Sequence, residues 1–136
     1  MIKLIVGNKG AGKTKTLINM ANEAVKNSKG NVVVVEKGLK MTYDIDHAAR
    51  LVDTEEYKVE GFAGLYGFLA GLMAGNYDIT DILVDATLKI GGKDLEGLAD
   101  MIDRLAGLAQ QHQVEMAFTV SCDLEALPES LKGYVI

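Results

Sequence analysis

Short apolar runs, each closed by a polar or glycine-bearing turn, alternate along the chain with stretches whose apolar residues fall three and four apart. Residues 2–6 form the first run, rich in β-branched side chains and ended by Gly7; they predict a buried strand. In Lys13–Asn27 the apolar positions Leu17, Ile18, Ala21, Ala24 and Val25 have helical spacing, and Lys29-Gly30-Asn31 stops the helix. Val32-Val33-Val34-Val35 is apolar on both faces, as a strand inside a parallel sheet must be. Ile82-Leu83-Val84, ending at Asp85, and residues 117–120 predict two more buried strands.

The remaining segments fill in between these. Residues 37–60 carry weaker patterning, with Leu51-Val52 as a short strand and residues 41–45 as a loop or edge segment. Residues 62–74 predict a helix that is apolar nearly all round. Leu95, Leu98, Ile102, Leu105 and Ala109 mark one face of a helix whose other face bears Glu96, Asp100, Asp103 and Arg104. Residues 124–131 predict a short helix, and residues 134–136 an edge strand. Strand and helix thus alternate throughout. The expected fold is α/β, a three-layer α/β/α sandwich with a mainly parallel sheet of about five strands, in one domain over residues 1–136.

Composition narrows the functional classes. At 136 residues and 49% apolar, the chain can bury a full core without cross-links. The single cysteine, Cys122, has no internal partner, which fits a reducing, cytoplasmic setting, and the first residues lack the pattern of a secretory leader. The uncharged stretch 61–77 is too short and too glycine-rich for a membrane span. A net charge of −5 with scattered acids does not indicate a nucleic-acid surface.

The chemistry sits in Gly7-Asn8-Lys9-Gly10-Ala11-Gly12-Lys13-Thr14, which matches G-x-x-x-x-G-K-[ST] at every fixed position. Glycines in such a loop allow backbone N–H groups to approach phosphate oxygens, and the positive end of the following helix completes an anion cradle. Lys13 would reach the β- and γ-phosphates and the Thr14 hydroxyl a Mg²⁺ ion, with Asn8, Lys9, Ala11 and Lys15 as further loop contacts. A strand before the loop and a helix after it supply the required context.

On these residues the chain resembles the P-loop NTPase superfamily. The signature covers eight residues, and the alternating elements cover the rest. The resemblance implies ATP and Mg²⁺ as ligands, and identifies the Ile82-Leu83-Val84-Asp85 segment with a Walker B strand whose Asp85 joins Thr14 at the metal. Lys9 stands one place later than the second loop lysine of the ParA/MinD-like branch, where that lysine directly follows the first glycine; Asn8 holds the place here, so that branch is not assigned. Many ATP-hydrolysing branches carry a glutamate directly after the Walker B acid, whereas Ala86-Thr87 follow here. Glu36, Ser121 and Asp123, at the ends of other strands, are the substitute catalytic residues beside Lys13; Ser121 resembles the polar sensor of the additional-strand branch.

Only Arg50 and Arg104 could stabilise phosphoryl transfer, so slow hydrolysis, stimulated by a protein partner or by self-association, is expected. Without N-K-x-D or T-K-x-D, ATP is expected over GTP. A non-hydrolysing nucleotide switch and a small-molecule or nucleoside kinase are the alternatives. Residues 36–57 faintly resemble the insertion of thymidine kinases, although the zinc-binding cysteines and the Asp-Glu-x-Gln-Phe element of that family are absent. Strand order separates the branches. With the 117–120 strand between the loop strand and the Asp85 strand the additional-strand ATPases are favoured; with those two adjacent, the kinases and GTPases. Finally, Gly67, Gly71 and Gly75 share a helical stripe, read as close packing against the sheet or, alternatively, as a homodimer seam through the Gly61–Gly75 helix. His47 and His112, isolated from other ligands, are expected at the surface.

Overall fold

The computed structural model describes all of residues 1–136. Five strands, β1 (Ile2–Gly7), β2 (Asn31–Glu36), β3 (Arg50–Asp53), β4 (Ile79–Val84) and β5 (Glu115–Ser121), form one sheet in the order β1-β5-β4-β2-β3. Every pairing is parallel. The helices are α1 (Lys13–Asn27), α2 (Gly61–Gly75), α3 (Thr87–Gly91), α4 (Leu95–His112) and α5 (Glu129–Lys132). The architecture is therefore the three-layer α/β/α sandwich that the alternating pattern predicts.

Strand side chains alternate between the two faces, and the two layers of helix are unequal. Leu4, Val33, Val35, Ile82, Val84, Met116, Phe118 and Val120 point to the thicker side, where α2, α3, α4 and α5 complete a core of 23 buried residues. Ile5, Val32, Val34, Leu83 and Ala117 point the other way, into a cluster of nine completed by Leu17 and Ala21 of α1 and by Met41 and Ile45 of the 37–49 segment. Burying a Leu or Phe side chain stabilises by about 1.5–3 kcal/mol, so the thick side carries most of the driving force.

Strand β3 lies at one sheet margin as expected, whereas the edge strand expected at residues 134–136 is reduced to a single bridge between Val135 and Leu4, too short to count as a strand. Leu4 donates its amide to Tyr134 O (2.9 Å) and accepts from the Ile136 amide (3.1 Å), so the chain's last residues shield the outer edge of β1. His47 and His112 are exposed. No helix is long and apolar enough to cross a membrane.

Two further expectations are corrected. Residues 124–131 are not one helix: a 3₁₀ turn at Leu124–Ala126 is followed by Leu127 in extended geometry (φ −68°, ψ 133°), and α5 begins at Glu129. Pro128 is the cause, because its ring disfavours helical geometry in the residue before it. The glycine stripe of α2, read as close packing against the sheet, does not touch it. Leu65, Leu69 and Met73 face the core, while Gly67, Gly71 and Gly75 are exposed with nothing within 4 Å of where a Cβ would stand. Close approaches are made elsewhere, by Gly30 against the Asp78 carbonyl and by Gly91 in α3, where an added Cβ would run into the Phe62 ring.

Candidate functional site

Register decides what meets at the carboxyl edge of the sheet. Gly7 of β1 lies beside Ser121 of β5, and Val84 of β4 beside Phe118, which brings Asp85 next to Thr119. On the other side Val35 pairs with Val84, so Glu36 follows beside Asp85, and Glu36 itself pairs with Asp53. Parallel α/β sheets bind ligands beyond these strand ends.

The glycine loop leaves β1 and enters α1 through two residues in left-handed backbone, Gly10 (φ 90°) and Gly12 (φ 80°), conformations that other residues rarely adopt. This path holds the loop open. Of the amides from Gly10 to Lys15, only that of Ala11 finds an acceptor, Asn8 O at 3.1 Å. The amides of Gly10, Gly12, Lys13, Thr14 and Lys15 have none in the protein, and no side chain caps the first turn of α1, which also carries no acid. Lys13 is buried at 9% exposure, and its ammonium donates back to Asn8 O at 2.9 Å, closing the ring.

Thr14 and Asp85 come together across the loop. The Thr14 hydroxyl lies 3.3 Å from each Asp85 carboxylate oxygen, a loose arrangement for a hydroxyl beside a carboxylate, which pairs tightly at about 2.5–2.7 Å. Asp85 is oriented instead by Thr119, whose hydroxyl donates to Oδ1 at 2.6 Å and accepts the Ala86 amide at 2.9 Å. Thr119 is the residue that sequence reasoning missed. It lies inside an apolar strand, and only the pairing of β5 with β4 reveals its task. Ala86 is held in left-handed backbone (φ 55°, ψ 44°), a strained geometry for a residue with a Cβ, at the turn from Asp85 into α3.

The loop, Asp85 and α3 enclose a cavity of about 550 Å³ lined by Lys9, Gly10, Gly12, Lys13, Thr14, Lys15, Asp85, Ala86, Leu88, Lys89, Thr119 and Ser121. Four lysines and one carboxylate make it a cationic pocket on an acidic protein. A larger hollow of about 740 Å³ lies at the opposite end of the strands, around Lys3, Asp81 and Glu115, away from all of these groups.

The substitute catalytic residues fall in different places. Ser121 is exposed on the cavity wall. Asp123 accepts a short hydrogen bond from the Asn8 side chain, tying the segment after β5 to the loop. Glu36 is only 2% exposed and does not line the cavity; its carboxylate accepts the Lys40 amide (2.9 Å) and the Met41 amide (3.3 Å) at the start of the 37–49 segment. Burial raises the Glu36 pKa, the two amides oppose the shift, and the nearby Asp85 and Asp53 add to it. Cys122 is also pushed up, by burial and then by Asp123 against a weaker pull from Lys13, which keeps it a thiol rather than a reactive thiolate. Arg50 lies on edge strand β3, and Arg104 pairs with Asp100 at 3.4 Å on α4, so neither arginine reaches the cavity.

No protein-family model matches the chain, and a search of curated proteins finds no relative for it.

Proposed function

We propose that the protein binds ATP with Mg²⁺ in the residue 7–14 loop and hydrolyses it slowly, at a rate raised by a partner. The observation that carries this reading is the set of five amides, Gly10, Gly12, Lys13, Thr14 and Lys15, that point no hydrogen bond at the protein itself, gathered at an uncapped helix start beside the Lys13 ammonium. Such a ring suits the oxygens of a phosphate chain.

The metal fits as well. Thr14 Oγ1 and the Asp85 carboxylate are hard oxygen donors on one wall of the cavity, loosely paired and oriented by Thr119, as a Mg²⁺ site held partly through water requires. When bound, Mg²⁺ would neutralise part of the phosphate charge. Lys13 then holds the phosphates, Thr14 and Asp85 hold the metal shell, and Ser121 faces the same space. The strand order, with β5 between β1 and β4, supports an additional-strand ATPase over a kinase or GTPase.

A second reading, a switch that binds ATP without turnover, is favoured by one feature. Asp85 is the cavity's only carboxylate, and Glu36 is turned toward the Lys40 and Met41 amides. A second copy seated on the exposed glycine face of α2 is the partner we propose for stimulation.

Calorimetric titration with ATP, GTP and a non-hydrolysable analogue, with and without Mg²⁺, tests binding. ATP should bind with Mg²⁺, and Lys13→Ala should weaken it by at least about tenfold, the loss of one charge-assisted contact. A folded wild-type chain that takes up no nucleotide refutes the proposal. Phosphate release above the Lys13→Ala background, measured across protein concentrations, separates the ATPase from the switch.

A further inference from the structure

Three of the four lysines in the cavity belong to the glycine loop and the first turn of α1; the fourth, Lys89, comes from α3 on the facing wall. Nothing in the loop pattern asks for it. Its backbone is held firmly. The Asp85 amide donates to Val35 O (2.8 Å), the Ala86 amide to Thr119 Oγ1 (2.9 Å), and Ala86 O accepts from the amides of Lys89 (3.0 Å) and Ile90 (3.2 Å). Thr87 and Ile90 are buried, and Gly91 lies against the Phe62 ring, so α3 is anchored on both sides of Lys89. The Lys89 side chain itself is exposed and makes no ion pair with any carboxylate of the protein. The Lys37 ammonium, outside the cavity lining, donates to Lys89 O at 3.3 Å and fixes the backbone there further.

Thr14 and Asp85 are the residues that would hold a Mg²⁺ ion, which would neutralise phosphate charge at this side of the cavity. Lys89 follows Asp85 by four residues and lines the same cavity as the loop lysines and Asp85. We propose that Lys89 contacts the terminal phosphate and is the residue by which this site distinguishes a nucleoside triphosphate from a diphosphate. It fills the cationic role that neither Arg50 nor Arg104 is placed to take. This inference rests on the nucleotide-binding reading of the site.

The test compares wild type, Lys89→Ala, Lys89→Arg and Lys13→Ala for ADP and for a non-hydrolysable ATP analogue, each with Mg²⁺, by calorimetry. Urea midpoints establish that the exposed substitution leaves the fold intact. Lys89→Ala should keep ADP affinity within about twofold and lose analogue affinity by about 10- to 100-fold, as expected for one charge-assisted hydrogen bond. Lys89→Arg should restore most of the loss, and Lys13→Ala should weaken both ligands. Equal losses for ADP and analogue in Lys89→Ala, or no loss for either, would overturn the role of Lys89 while the wild-type affinities leave the nucleotide site standing. A folded wild type that binds neither ligand overturns both.

Discussion

Replacing Thr119 by Val removes a hydroxyl that serves two partners while keeping the side chain's shape. The variant deprives Asp85 Oδ1 of its 2.6 Å donor and leaves the Ala86 amide without its 2.9 Å acceptor. A hydrogen bond to a charged group contributes about 1.5–3 kcal/mol, and a buried N–H stranded without a partner costs about 1–3 kcal/mol. Thr119 is 2% exposed, but Asp85 is only partly buried and keeps the neighbouring Thr14 hydroxyl. The expected loss is therefore about 2.5–4 kcal/mol, toward the lower end of the summed range. Thr119→Ser keeps the hydroxyl and gives up one methyl, a loss of about 1 kcal/mol. Urea denaturation of the three proteins at neutral pH gives the comparison directly, and the same samples titrated with Mg²⁺-ATP should show Thr119→Val as the weaker binder. If Val and Ser variants unfold within about 1 kcal/mol of each other, Thr119 is a packing residue and does not orient the carboxylate.

Two other perturbations probe separate parts of the molecule. Because burial raises the Glu36 pKa, the folded chain holds that proton more firmly than the unfolded chain does; the resulting stability is complete below the unfolded value and is lost as pH rises through the folded one. Glu36→Gln does not titrate, so its urea midpoint should gain on wild type as pH rises above the usual carboxylate range, and a flat difference would show that the carboxyl is not destabilised by its surroundings. Gly67→Ala and Gly71→Ala place methyl groups into open space on exposed turns of α2, and each should stabilise the chain by about 0.5–1 kcal/mol at low protein concentration. Unchanged or lowered stability would mean that something already lies close against that face.

Much of the architecture was legible because strands covered on both sides must be apolar throughout, as in Val32-Val33-Val34-Val35, and because the loop strand must hand over to a helix within a few residues. What escaped did so for identifiable reasons. At five residues, α3 is too short for any periodicity to show, yet it supplies one wall of the site. Thr119 looks like any β-branched strand residue until β5 is set beside β4. Glu36 reads as a strand-end acid, and its sequestration by Lys40 and Met41 depends on how the 37–49 segment folds back. The glycines of α2 carry the spacing of a packed seam, but spacing alone does not say which face of a helix the sheet will take. There Leu65, Leu69 and Met73 won the contact.

The unequal layers have a dynamic consequence. Lys13 and Thr14 open the one helix on the thin side, whose cluster has nine buried residues against 23 on the other. The part of the protein that grips a ligand is thus also the part with least holding it down, and it should be the first to loosen in native-state hydrogen exchange. A guest lodged in the loop would tether the front of α1 to β4 and slow exchange along the helix far more than in α4, so occupancy would be readable at amides well removed from it.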